Sequence, residues 1–213
     1  MVHSAFHIEP VLKKSQLKIT TLEVWGQKVL VGTEEGALLV LEEQAGAHIV
    51  EFDIVETRKS FSKRPLVQIQ AVDSLGILLS LSADLLQVND LVSLDMRAQL
   101  LKTRGAHGFT LSNELDTPVL CCAVKKTLVL YQWDGLMFAE WKDINLSDVP
   151  RGLAWCGDAI CTSISRKYHL INIFNLSDKT LFDSNSVNPT IFCLPDKRKV
   201  LLGRDSVSVC QDF

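Results

Sequence analysis

The sequence predicts an all-β protein of the WD40-like β-propeller class, and three observations carry that expectation. An apolar hairpin recurs five times along 213 residues, the recurrences are evenly spaced, and no long stretch keeps helical periodicity. A propeller blade of four short strands and their turns takes about 40 to 45 residues. Anchored at Val29, Ile77, Leu120, Ile160 and Val200, the five hairpins follow one another at intervals of 48, 43, 40 and 40 residues.

The first hairpin lies in VWGQKVLVGTEEGALLVLEEQ, where Val29 to Val31 and Ala37 to Leu41 read as strands around a polar turn. Gly36 suits the left-handed conformation that such a turn needs. The later copies are GILLSLSADLLQVNDL, PVLCCAVKKTLVLYQW, DAICTSISRKYHLINIF and KVLLGRDSVSVCQ. Their polar centres, Ala83-Asp84, Lys125-Lys126, Arg166-Lys167 and Arg204-Asp205, mark the expected turns. LKITTLEVW, PLVQIQAVDS, GLAWCG and PTIFCLPD precede four of the hairpins and are expected to be inner strands. AHIVEFDIV and GLMFAEWKDI follow hairpins and are expected to be outer strands. The chain carries no Pro/Gly/Ser-rich linker, so residues 1–213 are expected to form one domain. The fifth unit stops after its second strand, and the expectation is a ring truncated at its C-terminal end.

Composition bounds the function. A charge of -3 from 22 basic and 25 acidic side chains gives no global field for nucleic acid or anionic lipid. No apolar run of about 18 residues and no signal segment is present, so neither a membrane span nor secretion is expected. The six cysteines form no C-x-x-C pair, and most sit in strand-like apolar settings, as reduced core cysteines do. Without a signal segment, Asn145-Leu146-Ser147 and Asn175-Leu176-Ser177 are expected to stay bare.

Catalytic chemistry finds no assembled pattern. Gly32 and Gly36 flank Glu34 and Glu35, whose charge would repel a phosphate, and the Lys-Ser/Thr ending of a phosphate loop is missing. Glu34 and Glu35 are adjacent in a turn and point away from any shared target, unlike a general acid/base pair. There is no G-x-S-x-G elbow. His3 and His7 have a helical ligand spacing, but Pro10 follows and no third ligand accompanies them. Cys121 and Cys122 are consecutive in a strand and face opposite sides. No catalytic residue, metal site or cofactor is therefore expected. Trp25, Trp133, Trp141 and Trp155 are expected to fill space between blades with their N–H groups on backbone carbonyls.

The sharpest local charge is TRKSFSKR, Thr57 to Arg64, in which Arg58, Lys59, Lys63 and Arg64 surround Phe61. It reads as a solvated loop between the first two blades, accounting for the longest interval. These five residues are the candidate partner-binding set, because bases give steering and an aromatic gives an anchor. Phosphorylation of Ser60 or Ser62 would weaken contact with an acidic partner.

FHIEPVLKKSQLKITTLEVWGQKVLVGTEEGALLVL, SFSKRPLVQIQAV, CAVKKTLVLYQW and DVPRGLAWCGDAICTSISRKYHLI resemble the N-terminal citron-homology (CNH) domain of the vacuolar protein sorting, or vacuolar morphogenesis, subunits of HOPS-type tethering complexes, also called TRAP1-like proteins. The resemblance runs in order over nearly the whole chain. It implies a citron-homology propeller, here an incomplete seven-bladed ring, heading a longer protein with an α-solenoid that contacts the core subunits. It also implies a non-enzymatic interaction module acting with a Rab-type GTPase, peripheral on late endosome, lysosome or vacuole membranes. A CORVET-type early-endosome subunit and an anionic-lipid-binding propeller are the alternatives, with a propeller hydrolase behind them. Nucleic acid is not among the implied partners.

Overall fold

The computed structural model describes residues 16–44, 52–83, 85–112, 115–184, 189–194, 199–204 and 207–212. Four antiparallel four-stranded sheets and one of three strands follow each other along the chain. The first runs β1 (Ile19–Trp25), β2 (Lys28–Thr33), β3 (Leu38–Glu43) and β4 (Phe52–Arg58); the second runs β5 (Leu66–Val72), β6 (Ile77–Ser82), β7 (Leu86–Asp90) and β8 (Met96–Leu100). The third contains β9 (Ala106–Ser112), β10 (Val119–Val124), β11 (Thr127–Trp133) and β12 (Phe138–Asn145), and the fourth β13 (Arg151–Cys156), β14 (Ala159–Ile164), β15 (Lys167–Asn172) and β16 (Asp178–Asp183). The fifth holds β17 (Ile191–Cys193), β18 (Lys199–Arg204) and β19 (Val207–Asp212). Among the described residues the only helical turns are of 3₁₀ type, at Asp73–Leu75 and Leu101–Thr103.

Each sheet is a meander, and in the four-stranded sheets the recurring hairpin supplies its two middle strands. These are buried on both faces over most of their length, and every residue of β6 and of β14 is buried. Outer strands β4 and β16 instead expose most of their residues. Burial on both faces explains why the middle strands read as continuous apolar runs and not as alternation.

The chain divides into two compact units, Met1–Ala83 with Val88–Arg97, and Asp84–Gln87 with Ala98–Phe213. In the first, Leu30, Leu38 and Val40 on one face of the opening sheet pack against Leu66, Ile69, Leu78, Leu91 and Leu94. Its buried polar atoms are matched: Ser80 donates to Asn89 at 3.0 Å, and the Asn89 amide donates to the Leu94 carbonyl at 3.3 Å. In the second, Cys121, Leu128 and Leu130 pack with Trp155, Ile160 and Ile171. Tyr168 there donates its hydroxyl proton to the Gly203 carbonyl at 2.6 Å, joining β15 to β18.

The turn between the third and fourth strand repeats one device. Asp90 Oδ1 accepts from the amides of Val92 and Ser93 at 2.9 and 2.7 Å. Asp134 Oδ1 does the same for Leu136 and Met137, and Asn172 Oδ1 for Phe174 and Asn175. Two of these turns also close on a leucine with positive φ, Leu94 and Leu176. A side chain that accepts from amides two and three residues on replaces water at a sharp reversal.

Some expectations shift. The fourth turn is centred on Ser165-Arg166, one residue earlier than expected, because both take the positive φ that a tight two-residue hairpin turn requires, while Lys167 starts β15. Strands β8, β9 and β16 were not anticipated; MRAQL and DKTLFD are largely polar, and AHGFTLS contains an interior glycine. His3 and His7 lie outside the described residues.

Acid sensitivity follows from the Asp90 turn. The Ser93 amide first, then Arg97, lower the Asp90 pKa from the usual 3.8 to about 2. A carboxylate depressed on folding contributes stability above its unfolded pKa and loses it as pH falls through the folded one. Asp90→Asn keeps the amide acceptor, as Asn172 does naturally, but abolishes the charge. Denaturation series between about pH 5 and pH 2 should therefore show a shallower loss of stability for Asp90→Asn than for the parent chain; identical curves would contradict the assignment.

Candidate functional site

The basic segment is more structured than a solvated loop. Arg58 is the last residue of β4, not part of the irregular interval assigned to it from sequence. Its guanidinium pairs with Glu56 at 2.6 Å, donates to the Ser93 carbonyl at 2.9 Å and reaches Asp95 at 4.0 Å. Arg58 is thus paired and tied to the turn after β7.

Phe61 is also displaced from its expected role as an exposed anchor. Its ring is half-buried against the cluster of Leu30, Leu38, Leu66 and Leu78, where an apolar ring gains more than in water. The backbone beside it is fixed: the Ser62 amide donates to the Gly36 carbonyl at 2.9 Å, and the Arg64 amide to Ser62 Oγ at 3.2 Å. Gly36 makes this possible. Its φ is +80°, and a Cβ there would collide with the Ser62 carbonyl and approach the Arg64 carbonyl oxygen to 2.7 Å.

The segment therefore docks on the acidic β2–β3 turn, whose Glu34 is paired with Lys18 at 2.8 Å. Lys59, Lys63 and Arg64 remain exposed at the surface of this bracket. The structure brings the five sequence-assigned residues into one neighbourhood but divides their work. Arg58 and Phe61 hold the bracket, and the other three present charge.

The other polar features are mostly occupied by packing and turns. His169 Nδ1 lies 2.8 Å from Asp178, its neighbour across the β15–β16 turn. Lys102 pairs with Glu140 and Asp143 at 2.9 and 3.4 Å, and the two acids raise its pKa through the Glu140 hydrogen bond first. Among the described residues no group of three metal-ligating side chains converges. Burial pushes the Cys121 and Cys122 thiols up, and Cys121 alone of the two joins the cluster with Leu128 and Leu130, as opposite-facing neighbours must. Trp25, Trp133 and Trp155 lie at strand ends as expected, whereas Trp141 sits in the middle of β12; Trp133 packs edge-on to Phe138 and Trp141 edge-on to Phe174, with centroids at 5.0 and 5.9 Å. Trp25 donates to the Asp73 carboxylate at 2.6 Å instead of a backbone carbonyl, and the Trp155 N–H has no partner among the described residues.

Repeated antiparallel meanders, each built around a middle hairpin, define a protein of the β-propeller class. The chain belongs to the CNH domain family, whose profile matches residues 25–212. It is similar to the Vam6/Vps39-like protein of Homo sapiens, with 34% identity over 229 residues, 98% of this chain and 26% of that protein. It is also similar to vacuolar sorting protein 39 of Arabidopsis thaliana, with 26% identity over 220 residues, 100% of this chain and 22% of that protein. The chain thus spans about a quarter of the length of the curated relatives it matches. The solved AfRom2 CNH domain superposes with a TM-score of 0.70 at 15% identity, covering 93% of this chain and 69% of that one, a likeness of fold.

The division of work within the basic bracket is measurable. Arg58→Ala should lower stability by about 1 kcal/mol, a charged hydrogen bond discounted for the 44% exposure of the side chain. Lys63→Ala should stay within about 0.5 kcal/mol. Chemical denaturation of the two variants compares them directly, and equal costs would contradict the assigned roles.

Proposed function

We propose that this chain is a non-enzymatic protein-interaction module, residues 1–213 of the N-terminal citron-homology propeller of a HOPS-type tethering subunit. The observation that carries this reading is the similarity to the human Vam6/Vps39-like protein along 98% of the chain. The name of the Arabidopsis relative, vacuolar sorting protein 39, points the same way. In this reading the module works at late endosome, lysosome or vacuole membranes, before fusion and during vesicle-mediated transport, with a Rab-type GTPase as partner. It sits peripherally, and no helix among the described residues is long and apolar enough to cross a membrane. Other subunits of the complex meet regions of the longer protein outside this chain.

The docking surface in this proposal is the basic bracket. Lys59, Lys63 and Arg64 supply a positive rim, and Arg58 and Phe61 hold its backbone in place. Rim charges act mainly on association rate, because the attraction operates before contact and is screened over about 10 Å at 0.1 M salt. A fixed backbone adds to this by reducing the ordering cost on docking.

Association of the chain with GTP-loaded Rab-type GTPases of late endosomal membranes, followed by surface kinetics at several salt concentrations, tests both parts. Reversal of Lys59, Lys63 and Arg64 to Glu should slow association by about tenfold at low salt, with the difference shrinking as salt rises. Unchanged kinetics at every salt concentration would remove the bracket from the interface. Binding only to anionic vesicles, with no GTPase bound, would favour the lipid-binding reading instead.

A further inference from the structure

We propose that Cys156 and Cys193 form a peroxide-responsive dithiol, closing to a disulfide that joins the first strands of two consecutive sheets. Cys156 ends β13 and Cys193 ends β17, and these strands lie beside each other within one compact unit. Their sulfurs are 2.8 Å apart. A disulfide bond is about 2.05 Å long, so less than 1 Å of movement separates the thiols from bonding distance.

The surroundings fix and differentiate the pair. Cys156 belongs to the buried cluster of Cys161, Tyr168, Val200 and Leu202, and Cys193 packs against it. The Cys193 thiol also donates to the Trp155 carbonyl. Cys193 is half-buried, whereas Cys156 is 2% exposed, so Cys193 is the one a small oxidant reaches first in this proposal. A hydrogen bond to Cys161, with burial, pushes the Cys156 thiol up against the opposing hydrogen bond from Cys193, and the buried Cys156 is assigned the second step. Cys121, Cys122 and Cys161 are fully buried, and Cys210 is exposed on β19.

The chemistry assigns an order. The Cys193 thiolate attacks one peroxide oxygen, the O–O bond breaks, and the products are a Cys193 sulfenic acid and hydroxide, which leaves as water with the proton that Cys193 released. Cys156 sulfur then attacks the Cys193 sulfur, the S–S bond forms, the S–O bond breaks, and the leaving hydroxide takes the Cys156 proton as water. In sum two thiols and one hydrogen peroxide give one disulfide and two waters; sulfur is oxidised and peroxide oxygen reduced. A small dithiol reductant reverses the bond by exchange.

The test is hydrogen peroxide treatment of the folded chain, alkylation of remaining thiols, and non-reducing peptide mapping. The expected result is a mass decrease of about 2 Da and a linked peptide pair containing Cys156 and Cys193, both lost on reduction. Cys156→Ser should abolish the link and leave a sulfenic acid at Cys193 that dimedone traps. Cys193→Ser should leave Cys156 alkylated only after unfolding. The map of the unsubstituted protein decides the proposal even if a serine variant fails to fold. Recovery of both cysteines as free thiols after treatment, or a link through Cys161 or Cys210 in their place, would overturn it.

Discussion

Burial of the middle hairpins on both faces is the constraint on which the rest of this structure depends. Leu30, Leu38, Leu78, Leu120, Leu128 and Ile160 are each fully inaccessible to solvent. Burying one such side chain contributes roughly 1.5 to 3 kcal/mol, and truncating it to alanine costs about 2 to 5 kcal/mol. A single hairpin cannot supply that environment, because one face would stay wet. The demand is met within each unit by side chains of further strands, and it is this demand that spaces the hairpins nearly evenly along the chain.

The polar chemistry is subordinate to that packing. Ser80 and Asn89 satisfy each other where they are buried, and the Asp90, Asp134 and Asn172 side chains stabilise reversals between strands. Even the basic segment, the strongest charge feature in the sequence, is partly committed. Arg58 holds a turn and Phe61 fills a core, leaving the remaining bases on a backbone fixed by the close approach permitted at Gly36. In the proposed reading, the fixed support lets this charged rim steer a partner before contact.

The middle strands are legible because both of their faces are buried and mostly apolar, so VLVGT, ILLSLS and AICTSI stand out without any periodicity argument. Outer strands were harder: Met96–Leu100 and Asp178–Asp183 expose most of their side chains, and edge pairing leaves little compositional trace. The recurrent acceptor at the end of the third strand, Asp90, Asp134 or Asn172, is a readable signal in the sequence, though a polar one that the apolar hairpin anchors do not mark. Charge at Thr57 to Arg64 was equally readable, but its partners were not. Ser93 and Asp95 are more than thirty residues from Arg58 in sequence, and only the fold brings them together. The approach of Cys193 to Cys156 was hidden for the same reason, since 37 residues separate them.

Hydrogen exchange resolved by strand tests the central claim most directly. If two-sided burial of the hairpins holds the structure, the hydrogen-bonded amides of β2–β3, β10–β11 and β14–β15 exchange last. Those of outer strands β4, β12 and β16 should open earlier, by about tenfold or more, because fewer apolar contacts must break. Equal protection of outer and middle strands, or earlier opening of the middle hairpins, would contradict the account.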